Sequence, residues 1–340
     1  MLDKITVSAP GKLMLMGEHA VVYGRPCLVT ALGQRITATA QRQKEPFFEL
    51  DAPEVGISGY KKEISRLAVG EIAKETRFAE TAAANFFAQY PAESGVKLKI
   101  TSEIPSNVGL GSSSAVVVCV IKALCEIFGP KLSERQIFDL AYKTILDVQG
   151  KGSGFDAATA IWGGTLYFVT GGKTIERVSD SLPLVVGWSG SKGDTAALIR
   201  RVADKAKEYP AIIDDIFDQI EKLVESGRTA LVEKDWETLG SLMNFNQGCL
   251  VSLGVSTDKL TDMVNAAVNA GAWGAKLSGA GGGDCMIALA PEGKKEAIAA
   301  AIEKVGGKIV LVNTDAPGLR IESKRPPAKP QTAAVIEKCL

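Results

Sequence analysis

The sequence predicts an α+β chain of two lobes. Strand-like alternation marks its beginning, at Ile5 and Val7, then Leu13 and Leu15, then Ile36, and it returns at residues 165–169, 184–188 and 308–312. Helical patterns fill the intervals, above all from about 194 to 270. The length of 340 residues suits two domains, or one unit of two lobes.

Taken in order, Pro10-Gly11, Gly17, Gly24 and Pro26 punctuate the opening strands. A helix is expected over much of residues 61–89. Val96, Leu98 and Ile100 alternate with Lys97, Lys99 and Thr101, the pattern of a half-buried strand. A Gly/Ser loop, residues 105–114, separates that strand from a segment at 115–128 that is apolar nearly all round, as a core helix is. Ser133 and Gln136 have capping-box spacing, and Ile137, Leu140, Ala141, Thr144, Ile145 and Val148 form one helical face behind them. A second Gly-rich loop follows at 149–156. The lobe boundary falls between 171 and 184, so the first lobe spans 1–180 and the second 181–322. A third Gly-rich loop, 278–284, lies between short apolar runs. A helix near 296–305 and strands at 308–312 and 319–322 complete the second lobe. Residues 323–340, with Lys-Arg-Pro-Pro-Ala-Lys-Pro, read as a loose tail.

Composition narrows the function. Lys plus Arg and Asp plus Glu both number 39, so there is no basic excess of the kind nucleic-acid or membrane-surface proteins carry. No apolar run is long enough to span a bilayer, and no signal-peptide pattern is visible. The six cysteines form no C-x-x-C pair, and a cytoplasmic protein with reduced, buried thiols is expected. His19 is the only histidine. Multi-His metal sites are thereby excluded, a Ser-His-Asp triad would need His19, and a carboxylate or lysine is the better candidate for a general base.

Four segments have residues suited to chemistry. In Gly109-Leu110-Gly111-Ser112-Ser113-Ser114, glycines allow a tight turn and the loop opens a helix, whose first N–H groups lack partners and carry partial positive charge. That arrangement binds phosphate without a lysine, although a plain loop with a serine cap fits the same residues. Lys12 lies a few residues before Glu18 and His19; a cation near a transferring phosphoryl group stabilises its charge, while a solvated turn lysine and a structural histidine are the plainer alternatives. Asp156, after Gly150-Lys151-Gly152-Ser153-Gly154-Phe155, is a candidate base for an alcohol or a cap for the following helix. Gly281, Gly282 and Gly283 imply a close approach by a ligand or by backbone, or else a simple hairpin loop. Together the four fit phosphoryl transfer.

The order of these motifs resembles the GHMP kinases: Ser8-Ala9-Pro10-Gly11-Lys12, then Pro105-x-x-x-Gly109-Leu110-Gly111-Ser112-Ser113-Ser114, then Ser278-Gly279-Ala280-Gly281-Gly282-Gly283. The likeness runs to about Glu322. Within that superfamily, Gly17-Glu18-His19-Ala20-Val21-Val22-Tyr23-Gly24 and Asn244-Phe245-Asn246-Gln247 are similar to mevalonate kinases.

The resemblance implies an N-terminal lobe like ribosomal protein S5, with a left-handed crossover, and a ferredoxin-like C-terminal lobe. It also implies ATP as co-substrate and Mg²⁺ as its metal. Asp156 and Lys12 match the catalytic pair. The 109–114 loop and Gly279, Ala280 and Gly281 match phosphate contacts, and Ser113 matches the Mg²⁺-binding serine. Glu18, His19, Lys151, Ser153 and Thr195 match positions near the substrate or phosphates. Three departures stand out. Ile145 occupies the position of a usual Mg²⁺-binding Glu, and Asp147 lies about 200° round the helix from it. The 150–156 loop resembles phosphomevalonate kinases. Asp284 replaces a Gly usual in mevalonate kinases. The expected acceptor is mevalonate. Phosphomevalonate is the alternative, with Lys151 and Lys192 as candidates for binding its phosphate, and a non-catalytic sensor on the same fold is a third reading. A homodimer stays open as an assembly.

Overall fold

The computed structural model describes residues 2–105, 108–179, 181–314 and 316–322. Ser106 and Asn107 of the first Gly-rich loop, and the 323–340 segment expected as a tail, lie outside them.

Two long strands, β1 (Lys4–Met16) and β2 (Pro26–Gln43), run antiparallel, with Ser8 opposite Thr37. From Val7 onward every residue of β1 is buried. Helices and the second lobe cover it from both sides, so its polar residues Ser8 and Lys12 are held inside the protein. The remaining strands of this sheet are β3 (Phe47–Ala52), β4 (Ile57–Glu63), β5 (Gly95–Ser102), β6 (Thr165–Val169), β7 (Thr174–Ser179) and β12 (Arg320–Ile321). The order is β12-β1-β2-β5-β3-β4, with β6 on the first part of β2 and β7 on β6. Among the described residues only β3 and β5 pair in parallel, and the chain between them crosses through β4 and α1 (Arg77–Gln89).

The apolar segment is α2 (Ser112–Phe128), packed on β1, β2 and α1. The expected capping box opens α3 (Glu134–Gln149), where the Ser133 and Gln136 side chains each accept from the other's backbone N–H. A short helix, α4 (Phe155–Trp162), follows and lies against β1.

The second sheet holds β8 (Leu184–Trp188), β9 (Gly274–Ser278), β10 (Cys285–Leu289) and β11 (Lys308–Val310) in the order β11-β8-β10-β9, all antiparallel. By order of appearance that is 4-1-3-2. With α8 (Asp258–Asn269) and α9 (Lys295–Lys304) packed on it, the arrangement is ferredoxin-like. Helices α5 (Thr195–Glu208), α6 (Pro210–Glu233) and α7 (Trp236–Ser252) lengthen its first crossover, and α6 and α7 also reach β1.

Two expectations are corrected. The 61–89 region is α-helical only from Arg77; before it, β4 pairs with β3, a single 3-10 turn follows at Ile64–Arg66, and Ala68 and Gly70 take positive φ values of 58° and 78° that no helix continues through. The 319–322 strand does not complete the second lobe. As β12 it returns to the first sheet, with Ser8 opposite Arg320. The strands at 47–52, 57–63 and 174–179 had no counterpart in the sequence reading, because their alternation is weak and Lys, Glu and Arg interrupt it.

Candidate active site

Strand β1 bulges between Pro10 and Lys12, which re-aims the lysine. Lys12 Nζ lies 3.0 Å from Asp156 Oδ1 and 5.1 Å from the centroid of the Phe155 ring. Lys12 is therefore no solvated turn lysine. Asp156 is no cap either, because the N-cap of α4 is Gly154 and makes no side-chain hydrogen bond. The aspartate stands in the first turn of α4, where partial positive charge favours an anion.

The phosphate-type loop lies directly against this pair. The Lys12 N–H donates to the Leu110 carbonyl at 2.9 Å. Gly111 takes φ 81° and caps α2. A Cβ there would stand 2.7 Å from Lys12 Cγ and 3.5 Å from Asp156 Oδ1, so a side chain would displace the pair. Ser112, Ser113 and Ser114 form the first turn of α2, exposed, half-buried and buried in that order. Their N–H groups have no helical acceptor, and no side chain caps them.

On the opposite side, Asp284 presses on the same loop. A Cβ at Gly109 would stand 2.8 Å from Asp284 Cγ. Asp284 has φ 57°, in the left-handed region, and is 7% exposed. Its backbone N–H donates to Ser191 O at 2.8 Å, its carbonyl accepts from the Ser189 N–H at 2.9 Å, and its carboxylate accepts from the Gly193 N–H. Oδ1 is buried with no partner among the described residues. Burial pushes the Asp284 carboxyl up, opposed by the Gly193 N–H and by the charges of Lys12 and Lys192.

The Glu18–His19 segment grips the third Gly-rich loop. His19 Nε2 lies 2.9 Å from the Ala280 carbonyl, so that nitrogen carries the proton, and burial lowers the imidazole pKa. Glu18, expected at the substrate, is instead sealed at 1% exposure and paired with Lys276 of β9, which is 0% exposed. It also accepts from the Gly279 N–H. Burial pushes Glu18 up and Lys276 down, and their mutual attraction opposes both.

Residues 279–284 do form a hairpin loop, since Ser278 pairs with Cys285. Gly279 faces open space. Gly281 does not: a Cβ on it would meet the Val255 carbonyl at 2.2 Å, so only glycine fits against that backbone. Ser153 is buried, its carbonyl accepting from the Gly171 N–H, and its hydroxyl has no hydrogen bond among the described residues. Lys151 and Thr195 are exposed, and no described contact joins either to the Lys12–Asp156 pair.

Ile145 is 4% exposed, with its Cγ2 3.5 Å from a Cβ built on Gly152, so it belongs to the core. Asp147 is held by Lys143 at 2.6 Å and Asn85 at 2.8 Å. Sequence reasoning missed Lys276 and Gly193 altogether. The signal for Lys276 was a lysine amid an apolar five-residue strand.

The N-terminal GHMP kinase domain matches residues 77–164, and the C-terminal GHMP kinase domain matches residues 228–308. A curated mevalonate kinase of Thermococcus sibiricus is 38% identical over 330 residues, covering 94% of this chain and 98% of that protein. The crystal structure of Methanococcus jannaschii mevalonate kinase is 27% identical with a TM-score of 0.78, over 91% of this chain and 98% of that one. That of L. major mevalonate kinase in complex with R-mevalonate is 25% identical with a TM-score of 0.76, over 93% and 97%. The chain belongs to the GHMP kinase family, and its relatives there are mevalonate kinases.

Proposed function

We propose that this protein is an ATP-dependent kinase that transfers the γ-phosphoryl group to a hydroxyl of mevalonate. The observation that carries the reading is the Lys12–Asp156 pair, a buried lysine on a half-buried aspartate, set against Gly111 at the mouth of α2, in a chain 38% identical to a mevalonate kinase. The acceptor oxygen attacks the γ-phosphorus, the bond to the β-phosphate oxygen breaks, and Asp156 receives the hydroxyl proton. Lys12 stabilises the charge that grows on the transferring group. The 109–114 loop and the free N–H groups of the first turn of α2 hold the phosphates. Ser113, half-buried in that turn, offers a hydroxyl oxygen that would hold Mg²⁺, which would supply positive charge to offset that of the phosphates. Ala280 and the open edge at Gly279 line the side of the site gripped by His19, and Ser153 presents an uncommitted hydroxyl to the substrate.

The test is ADP release with mevalonate and with phosphomevalonate, side by side. The expected outcome is turnover of mevalonate, a fall of at least about tenfold (~1.4 kcal/mol) in kcat/KM for Ser113→Ala, and little change for the exposed Lys151→Ala. A preference for phosphomevalonate that depends on Lys151 reassigns the acceptor. Turnover of neither compound removes the kinase reading.

A further inference from the structure

We propose that Asp284 supplies the carboxylate oxygen for the divalent metal ion that accompanies ATP. The inference rests on the 109–114 loop being the ATP phosphate site.

Mg²⁺ on a nucleotide is held by the phosphates and by one or two protein carboxylates or hydroxyls, with water completing its shell. The carboxylates of Asp156 and Asp284 stand against the glycines of the loop. Asp156 is committed to Lys12 at 3.0 Å. Asp284 stands against Gly109 through Cγ and Oδ2, with a carboxylate oxygen accepting from the Gly193 N–H and Oδ1 without a partner among the described residues. The helix that precedes Asp156 offers nothing in exchange, since Ile145 is in the core and Asp147 is held by Lys143 and Asn85 on the outside.

Three costs are concentrated at Asp284. It takes φ 57°, where a glycine would sit without strain and most side chains would not. It is 7% exposed, and a buried carboxylate oxygen without a partner is unfavourable. It also sets negative charge beside a loop that receives phosphates. A divalent cation between carboxylate and phosphates removes the second and third costs together. In its absence, Lys12 and Lys192 are the positive charges acting on Asp284. The surrounding backbone keeps the side chain in place, because Ser189, Ser191 and Gly193 all hydrogen-bond to this one residue.

The experiment is equilibrium binding of ADP with and without Mg²⁺, together with electron paramagnetic resonance of Mn²⁺ at saturating ADP. Asp284→Asn keeps an oxygen for the Gly193 N–H and tolerates the left-handed backbone. Metal-free ADP affinity should stay within about twofold of wild type, while the gain from Mg²⁺ falls by roughly tenfold or more and Mn²⁺ is held correspondingly more weakly. Asp284→Gly, which relieves the backbone strain, should lose the metal-dependent gain to the same extent and guards against a folding defect in the first variant. A metal-dependent gain that survives in both variants, or that is already absent in wild type, overturns the proposal. So does an equal loss of ADP affinity with and without metal, which would mark a residue that only holds the loop. A wild type that binds no ADP at all sinks the ATP reading itself, and this inference with it.

Discussion

His19 takes φ 60° and ψ −50° and is 5% exposed, in the turn that follows β1. Its Nε2 proton is committed to the Ala280 carbonyl, and burial holds its pKa below the ordinary 6.5. The folded protein therefore keeps the ring neutral in a range where the unfolded chain protonates it. Below about pH 6.5 the unfolded state binds the extra proton, and stability falls as pH drops toward the folded-state pKa, with a slope of at most ~1.4 kcal/mol per pH unit from this group. Asparagine is among the side chains most often found at positive φ, and it does not titrate. In urea unfolding, the stability advantage of wild type over His19→Asn should shrink between pH 7.5 and pH 5.5. An advantage that grows on acidification would mean that the folded state holds a charged His19. At this scale local chemistry marked the candidates, and the resemblance to the family joined Lys12 to Asp156. Lys12, Asp156 and the serines of 112–114 stand together. The sequence was not legible for Glu18, because its partner lies 258 positions away on a strand of the other sheet.

Elements that a periodic pattern defines were readable in detail. The strands at Thr165–Val169 and Leu184–Trp188 and the capping box of α3 match expectation, since apolar spacing and cap chemistry are written in adjacent residues. What joins the elements was not readable. Strand β9 meets the turn after β1 through a pair with no access to water, Lys276 with Glu18, and meets β1 itself through Ser278, whose hydroxyl donates to Met14 O at 2.8 Å. A buried pair of this kind is weak evidence of net stability, yet breaking it from one side is costly. Lys276→Met should destabilise the fold by roughly 3–5 kcal/mol, because it leaves the Glu18 carboxylate uncompensated. The double variant Glu18→Gln with Lys276→Met should recover most of that loss, with the glutamine oxygen still able to accept from the Gly279 N–H. Chemical denaturation of the four proteins of this cycle checks it. Equal stability of Lys276→Met and wild type would show that the pair is not sealed as described.

Across the whole molecule, the chain leaves the second sheet after β11 and straps itself over the first. Gly33 N–H donates to Asn313 O at 2.8 Å, Gly164 N–H to Ala316 O at 2.9 Å, and Leu319 N–H to Ile161 O at 3.0 Å. The strap thus reaches β2, the end of α4 and β1 in turn, and β1 and α4 are the two elements that hold Lys12 and Asp156. Arg35 fastens it. This arginine is 6% exposed, and burial lowers its pKa to about 10. It donates to Pro317 O and Gly318 O at 2.7 Å each, to Ser8 Oγ at 2.6 Å and to Ser8 O at 2.9 Å. Those acceptors come from distant parts of the sequence, which is why the 319–322 strand could be foreseen and its sheet could not. Arg35→Met keeps much of the buried stem and removes every donor. Hydrogen bonds from a charged group contribute about 1.5–3 kcal/mol each, and losses within one network do not add, so a fall of roughly 3 kcal/mol in unfolding free energy is expected. If the strap fixes the spacing of β1 and α4, the variant should also lose kcat at temperatures where it remains folded, with a smaller change in KM, since Lys12 and Asp156 act on the transferring group more than on ground-state binding. Full kcat in a destabilised Arg35→Met would confine the strap to stability and free the Lys12–Asp156 geometry from it.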